Sequence, residues 1–194
     1  MPDRIGRQYR YIPAKMQVRS EDTGPVISCY FAVFNTPIKL WPGCIEQIAP
    51  GSFTSSLSGD VRALIDHETR LVLGRTVAGT LTLTEDGTGL YGEVKINEHD
   101  SDAMNLYARV QRGDVSQCSF GFDIVAEDYV QSPDGQTCIW TIRDVVLYEV
   151  SIVTFPAYEA TSAVARAESD NITLKNLRLE RRKKELLERI NKHA

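Results

Sequence analysis

The sequence lacks any apolar run approaching the roughly 20 residues that a membrane-spanning helix requires. Residues 1–15 are charged and aromatic, and they contain no hydrophobic stretch of the kind that directs secretion. These absences predict a cytoplasmic protein with no membrane partner. At 194 residues, 42% of them hydrophobic, the chain is long enough for one domain with a sizeable core and an extension.

Metal-binding and phosphate-binding patterns are also missing. The chain has three histidines, with neither HxH nor HExxH spacing, and the one Gly-rich match, near Gly87, belongs to a predicted hairpin turn. We therefore expect no metal and no cofactor.

The four cysteines lie far apart without CxxC spacing, so we expect reduced, mostly buried thiols at Cys29, Cys44, Cys118 and Cys138.

Charge divides the chain into two parts. The net charge is −4, but residues 171–194 carry eight Lys/Arg and three Asp/Glu, which leaves a −9 body and a +5 tail. The tail has helical spacing with a thin stripe of Leu179, Leu186 and Ile190. That stripe is too narrow for a core. It suits a partner surface, a coiled coil or a tether, and a solvated terminal helix fits the pattern equally well.

Hydrophobic alternation and turn residues predict a mainly β protein with a few helices (α+β). A closed or nearly closed β-barrel is the most economical architecture for so many short strands. Strands are predicted at 8–12, 26–35, 61–65, 76–84, 90–96, 115–130, 137–142 and 144–155. Helices are predicted at 53–57, capped by Ser52, and at 102–112, ended by Gly113.

One serine is placed differently from the bulky residues around it. Alternation puts Cys118, Phe120 and Phe122 on the core face of their strand and Ser119 on the other face, beside Gly121. Glycine there allows another group to approach closely. Cys118, although adjacent to the serine, is expected to be a packed thiol and not a nucleophile.

A serine hydroxyl needs a nearby base, commonly a histidine that is oriented by a carboxylate. His67 ends an apolar strand, whereas His99 lies in a polar turn and His193 in the tail. Glu149 lies on the apolar face of the strongest predicted strand, where a carboxylate requires a partner. That partner is either His67, in a catalytic role, or an arginine such as Arg75 or Arg143, in a structural one.

Five segments follow in order between residues 26 and 158: EQIAPGSF at 46–53, LIDH at 64–67 with LGR at 73–75, DGTGL at 86–90, GDV at 113–115 with CSFGF at 118–122, and LYEVSIV at 147–153 with PAY at 156–158. Together they resemble the motifs of the phage prohead (procapsid maturation) serine proteases. The family commonly has Asn before its histidine and Asp after it, where this chain has Asp66 and Glu68.

The resemblance implies an assemblin-like β-barrel flanked by helices at residues 1–165, followed by the basic helical tail at 166–194. It also implies a catalytic triad of the nucleophile Ser119, the base His67 and the third member Glu149. A serine esterase is disfavoured, because the G-x-S-x-G elbow is absent around Ser119.

The resemblance further implies a role in capsid maturation inside the assembling procapsid, in the cytoplasm of a bacterial host. The expected partners are the major capsid protein, a scaffold protein and other copies of the protease, with no requirement for nucleic acid. Self-cleavage is expected as well. The alternative is a non-catalytic β-barrel scaffold that keeps the fold without the chemistry.

Overall fold

The computed structural model describes residues 4, 6–21 and 24–155. The predicted tail at 166–194 lies outside them. The described chain is mainly β, with one α-helix, α1 (Ser101–Arg112), and 3-10 turns at Thr54–Ser56 and Thr76–Ala78. Its strands are β1 (Gln8–Pro13), β2 (Gln17–Glu21), β3 (Gly24–Val33), β4 (Ile38–Trp41), β5 (Cys44–Ile48), β6 (Arg62–Ile65), β7 (Glu68–Arg75), β8 (Leu81–Glu85), β9 (Gly89–Lys95), β10 (Gln117–Gln131) and β11 (Cys138–Val153).

Strand β11 organises a seven-stranded mixed sheet. Its early residues pair in parallel with β5 and its later residues pair in parallel with β6, while β10 pairs antiparallel along its other edge. Strand β1 adds to β10 as an edge strand. The sequence of β11 is rich in β-branched residues that suit a buried strand. The structure shows that the two strands predicted at 137–142 and 144–155 are one continuous strand.

A second, four-stranded antiparallel sheet has the order β2-β3-β9-β8. The two sheets share one hydrophobic core, which includes Phe31, Phe120 and Phe122. Across it, the sulfur atoms of Cys29 in β3 and Cys118 in β10 lie 3.1 Å apart. The core face predicted for the Ser119 strand is confirmed, because Cys118, Phe120 and Phe122 are all fully buried.

The predicted barrel is not supported. The described strands divide between two sheets, and β5 and β6 follow each other along one edge of β11 without closing the larger sheet. Strands β4 and β5 both lie between residues 36 and 60. That segment is rich in turn residues, so neither strand was predicted. Periodicity identifies strands one at a time, and closure depends on long-range pairing that the pattern does not encode.

The helix at α1 is confirmed, with its predicted glycine end. The side chain of Asp100 accepts hydrogen bonds from the amides of Asp102 and Ala103 at the N-terminus. Gly113 ends the helix with φ of 87°, a left-handed conformation that favours glycine. No helix among the described residues is both long and apolar enough to cross a membrane.

The helix predicted at 53–57 is a single 3-10 turn, and Ser52 does not cap it. Its hydroxyl instead lies 2.6 Å from the carbonyl oxygen of Ala49 and 3.0 Å from that of Ile142. Ser52 thus joins the turn to β11. The strand predicted at 76–84 is also shorter than expected, because a 3-10 turn precedes β8.

The expectation of four reduced cysteines is wrong for one pair. Cys44 and Cys138 form a disulfide, with their α-carbons 4.6 Å apart. They are direct partners in the parallel pairing of β5 and β11, a proximity that their separation of 94 residues hides in the sequence. Cys29 and Cys118 are free and buried, and burial raises the pKa of the Cys118 thiol.

A buried carboxylate ties β1 to the centre of the large sheet. Glu46 in β5 is fully buried and accepts hydrogen bonds from the guanidinium groups of Arg10 in β1 and Arg4. One Arg10 Nη2–Glu46 Oε2 distance is 2.8 Å. Burial alone would raise the pKa of Glu46, but the charges of Arg10 and Arg4 outweigh it and lower that pKa.

We expect Glu46→Gln to lower the free energy of unfolding by about 3 kcal/mol at neutral pH, because two arginines lose their buried counter-charge. A lowered pKa stabilises the fold above the ordinary glutamate range, and that stabilisation is lost as the pH falls through the folded-state pKa. Acidification should therefore cost the wild type more stability than the variant.

Urea unfolding at neutral and acidic pH measures both effects, with Glu98→Gln at an exposed position as the control. Equal stability of Glu46→Gln and the wild type at neutral pH would contradict the role of this ion cluster.

Candidate active site

A strained hairpin turn places His67. Ile65 of β6 pairs with Glu68 of β7, so Asp66 and His67 form a two-residue loop. Their φ angles are 48° and 61°, and both residues are therefore left-handed, as a type I′ hairpin turn requires. Such a conformation costs on the order of 1 kcal/mol or more for each non-glycine residue.

Asp66 holds this turn against the end of β11. Its backbone amide donates to the carbonyl of Ile152 at 3.0 Å, and its Oδ1 accepts from the amide of Thr154 at 2.7 Å. The hydroxyl of Thr154 is 3.0 Å from Oδ2. Asp66 thus fixes the backbone beside His67. The sequence did not predict that Asp66 would hold the turn in this way.

The register of the large sheet gathers the other predicted residues. Ser119 in β10 lies directly opposite Ser151 in β11, and Gly121 lies directly opposite Glu149. Direct antiparallel partners project from the same face of a sheet. Ser119 and Glu149 therefore share the face that is turned away from the core phenylalanines.

Glu149 links the histidine to this face. The distance from His67 Nδ1 to Glu149 Oε1 is 2.6 Å, and the Ser151 hydroxyl donates to Glu149 Oε2, also at 2.6 Å. The two arginines considered as alternative partners lie elsewhere. Arg75 pairs with Asp60 and Arg143 with Asp128.

Two tyrosines of β1 pack against the imidazole. The ring centroids of Tyr9 and Tyr11 lie 4.6 and 5.5 Å from that of His67, both in edge-on geometry. The His67 side chain is consequently only 18% exposed. The strand was predicted at 8–12, but its contacts with His67 were not. The available signal was the i, i+2 spacing of the two rings, which places both on one face.

Ser119 is fully buried, which the sequence did not predict. The expectation that its hydroxyl lies off the core face is correct, but the side chain is completely buried there, and Tyr11 is its direct partner in the neighbouring strand β1. Within the described residues, neither Ser119 Oγ nor His67 Nε2 has a hydrogen-bond partner. No hydrogen bond therefore joins the serine to the histidine, and two buried polar atoms on the same side of the sheet are unsatisfied.

The absence of a side chain at Gly121 makes room for this arrangement. A Cβ at that position would lie 2.6 Å from Glu149 Oε1 and 2.9 Å from Tyr9 Cε1. The sequence predicted that another group would approach closely at this glycine. The groups that do so are the carboxylate of Glu149 and the ring of Tyr9. Any larger residue must displace the oxygen that contacts His67.

The neighbouring candidates have other environments. Cys118 is buried on the core face against Cys29, and its raised pKa disfavours the thiolate that nucleophilic attack requires. His99 lies exposed in the polar turn before α1. The described structure thus leaves His67, which is oriented by a carboxylate, as the group suited to proton transfer. Serine hydrolases activate a serine hydroxyl by this kind of arrangement.

A sequence model of the caudovirus prohead serine protease family matches residues 14–175. The chain belongs to this family. It is 32% identical over 132 residues to the prohead protease of Enterobacteria phage HK97, a match that covers 66% of this chain and 55% of that protein. The chain thus spans about half the length of this curated relative.

Among solved structures, the capsid assembly protease of bacteriophage T4 matches with a TM-score of 0.48 at 10% identity. That match covers 77% of this chain and 99% of the T4 chain. A similarity at this level supports no conclusion about function.

We expect Gly121→Ala to reduce the turnover of a peptide substrate by on the order of 100-fold, because the new methyl group displaces the Glu149 carboxylate from His67. Cleavage rates are compared per folded molecule, with the folded fraction taken from thermal melts. Gly87→Ala is the matched control, since no atom lies within 4 Å of the added carbon there. A folded Gly121→Ala variant with normal turnover would contradict this interpretation.

Proposed function

We propose that this protein is a serine endopeptidase of phage procapsid maturation. The observation that carries the proposal is the 2.6 Å contact between His67 and Glu149 on the sheet face that presents Ser119. Membership of the prohead serine protease family supports the same activity. His67 and Glu149 are in contact although they come from a turn and a strand far apart in the sequence, and Ser119 lies on the same sheet face as Glu149.

In the proposed mechanism, Ser119 is the nucleophile, His67 is the general base and Glu149 orients the imidazole. Nδ1–H of His67 donates a hydrogen bond to Glu149, which leaves the unprotonated Nε2 able to take the proton from the serine hydroxyl. Ser119 Oγ then attacks the peptide carbonyl carbon, and His67 returns the proton to the leaving amine. In the second half of the reaction, His67 takes a proton from water as the water attacks the acyl carbon. His67 then gives that proton to Ser119 Oγ as the acyl bond breaks.

Substrate access requires movement, because Ser119 is completely buried in the described state. We propose that the cover over the serine opens when substrate binds and brings His67 Nε2 and Ser119 Oγ into hydrogen-bond distance. Hydrogen bonds of catalytic groups are often formed only in the substrate complex. Strand β1, with Tyr9 and Tyr11, is the element suited to this movement, because among the described strands it lies at the edge of the sheet and pairs with β10.

The proposed substrates are the scaffolding region of the major capsid protein, a separate scaffold protein and the protease itself. Cleavage would take place inside the assembling procapsid in the cytoplasm of the host. We propose that residues 1–165 are the protease domain and that the basic tail at 166–194 docks on an acidic or helical scaffold surface. The tail's +5 charge supports this role.

A second candidate is a non-catalytic scaffold protein that retains the protease fold. The observation in its favour is the buried Ser119 hydroxyl, which makes no hydrogen bond to His67. The enzyme is favoured by membership of the prohead serine protease family and by the imidazole that Glu149 orients, although the same contact also supplies the partner that a buried carboxylate requires.

We expect Ser119→Ala to lower cleavage of the capsid or scaffold substrate at least about 1,000-fold, because the nucleophile is lost. Stability should be unchanged or raised by about 1 kcal/mol, because the substitution removes a buried hydroxyl without a partner. Cys118→Ala is the adjacent control and should retain activity.

Substrate cleavage and thermal melts of both variants test this prediction. A Ser119→Ala variant that still cleaves substrate would reject the assignment of the nucleophile. Loss of activity in Cys118→Ala without loss of folding would reassign it to the thiol.

A further inference from the structure

We infer that Ser151 is a positioning residue that holds Glu149 in the orientation needed by His67. The inference rests on the proposed function and adds a fourth member to its machinery. Its basis is the hydrogen bond from Ser151 Oγ to Glu149 Oε2, 2.6 Å long and completely buried.

The backbone at Ser151 is fixed from both sides. Ser151 pairs with Ser119 of β10 on one edge and with Leu64 of β6 on the other. A hydroxyl on a central strand has little freedom, so it is a firm point of attachment for a longer side chain. Glu149 lies two residues earlier on the same strand and on the same face.

Glu149 needs such an attachment. A glutamate side chain has three rotatable bonds, and a carboxylate bonded through one oxygen only can rotate away from the imidazole. In the described structure, His67 occupies Oε1 and Ser151 occupies Oε2, so both oxygens are held. A hydrogen bond to an ionised carboxylate is stronger than one between neutral groups, which makes this hold effective in a buried site.

Gly121 does not restrain the carboxylate from the side of β10. The position that a Cβ would take there lies 2.6 Å from Glu149 Oε1 and 2.9 Å from Tyr9 Cε1, so the carboxylate occupies space that only a glycine leaves open. The hydrogen bonds from His67 and Ser151 are therefore what fix its orientation.

The test compares Ser151→Ala with Ser151→Thr in peptide cleavage. We expect Ser151→Ala to lower kcat about 10-fold with KM within about 2-fold, because Ser151 acts through Glu149 and does not touch substrate. Ser151→Thr keeps the hydroxyl and should recover most of kcat. The distant control is Ser28→Ala, since Ser28 is also buried in a strand but belongs to the second sheet.

Ser119→Ala, assayed in parallel, separates failure of this inference from failure of the proposed function. Wild-type kcat in Ser151→Ala beside an inactive Ser119→Ala would overturn the inference and leave the protease assignment intact. Equal losses in Ser151→Ala and Ser151→Thr would also overturn it, because the hydroxyl would then be irrelevant. An active Ser119→Ala would reject the proposed function itself.

If Ser151→Ala folds poorly, Ser151→Cys supplies the same comparison with a side chain of similar size and a weaker donor. An intermediate kcat is expected for that variant. Full wild-type kcat in a folded Ser151→Cys would overturn the inference.

Discussion

The hydrogen bond between His67 Nδ1 and Glu149 Oε1 is the interaction on which the candidate site depends. It joins a turn between β6 and β7 to a central strand, and each neighbouring feature serves to maintain it. The left-handed backbone at residues 66 and 67 aims the imidazole, and Asp66 fastens that backbone to the end of β11. Gly121 leaves space for the carboxylate, while the hydroxyl of Ser151 holds its second oxygen.

The site carries a cost in stability that the rest of the fold offsets. Two left-handed residues and two unsatisfied buried polar atoms are each unfavourable by on the order of 1 kcal/mol. The core shared by the two sheets offsets this cost, as does the ion cluster in which Glu46 binds Arg10. Arg10 of that cluster lies on β1, the strand whose tyrosines pack against the imidazole. Glu46 thus stabilises the same edge strand that contacts His67.

Local patterns predicted the elements that alternate regularly, and long-range pairing accounts for what they missed. The strands containing Ser119 and Glu149 and the helix ended by Gly113 have clear periodicity, and the structure confirms them. Strands β4 and β5 were missed because turn residues surround them. The pairing of β5 with β11 also explains the unpredicted disulfide and the failure of the barrel prediction. At the site, the position of Glu149 on an apolar face predicted that the carboxylate would have a partner. The packing of Tyr9 and Tyr11 against His67 depends on long-range strand pairing, which no local pattern encodes.

The central claim is that Ser119 is a nucleophile activated by His67. The most direct measurement is reaction of the purified chain with a fluorophosphonate, followed by mass spectrometry of the digested protein to locate the covalent adduct. This account predicts an adduct on Ser119 that is absent from a folded His67→Ala variant. An adduct on another residue in a preparation that cleaves substrate, with Ser119 unmodified, would contradict it.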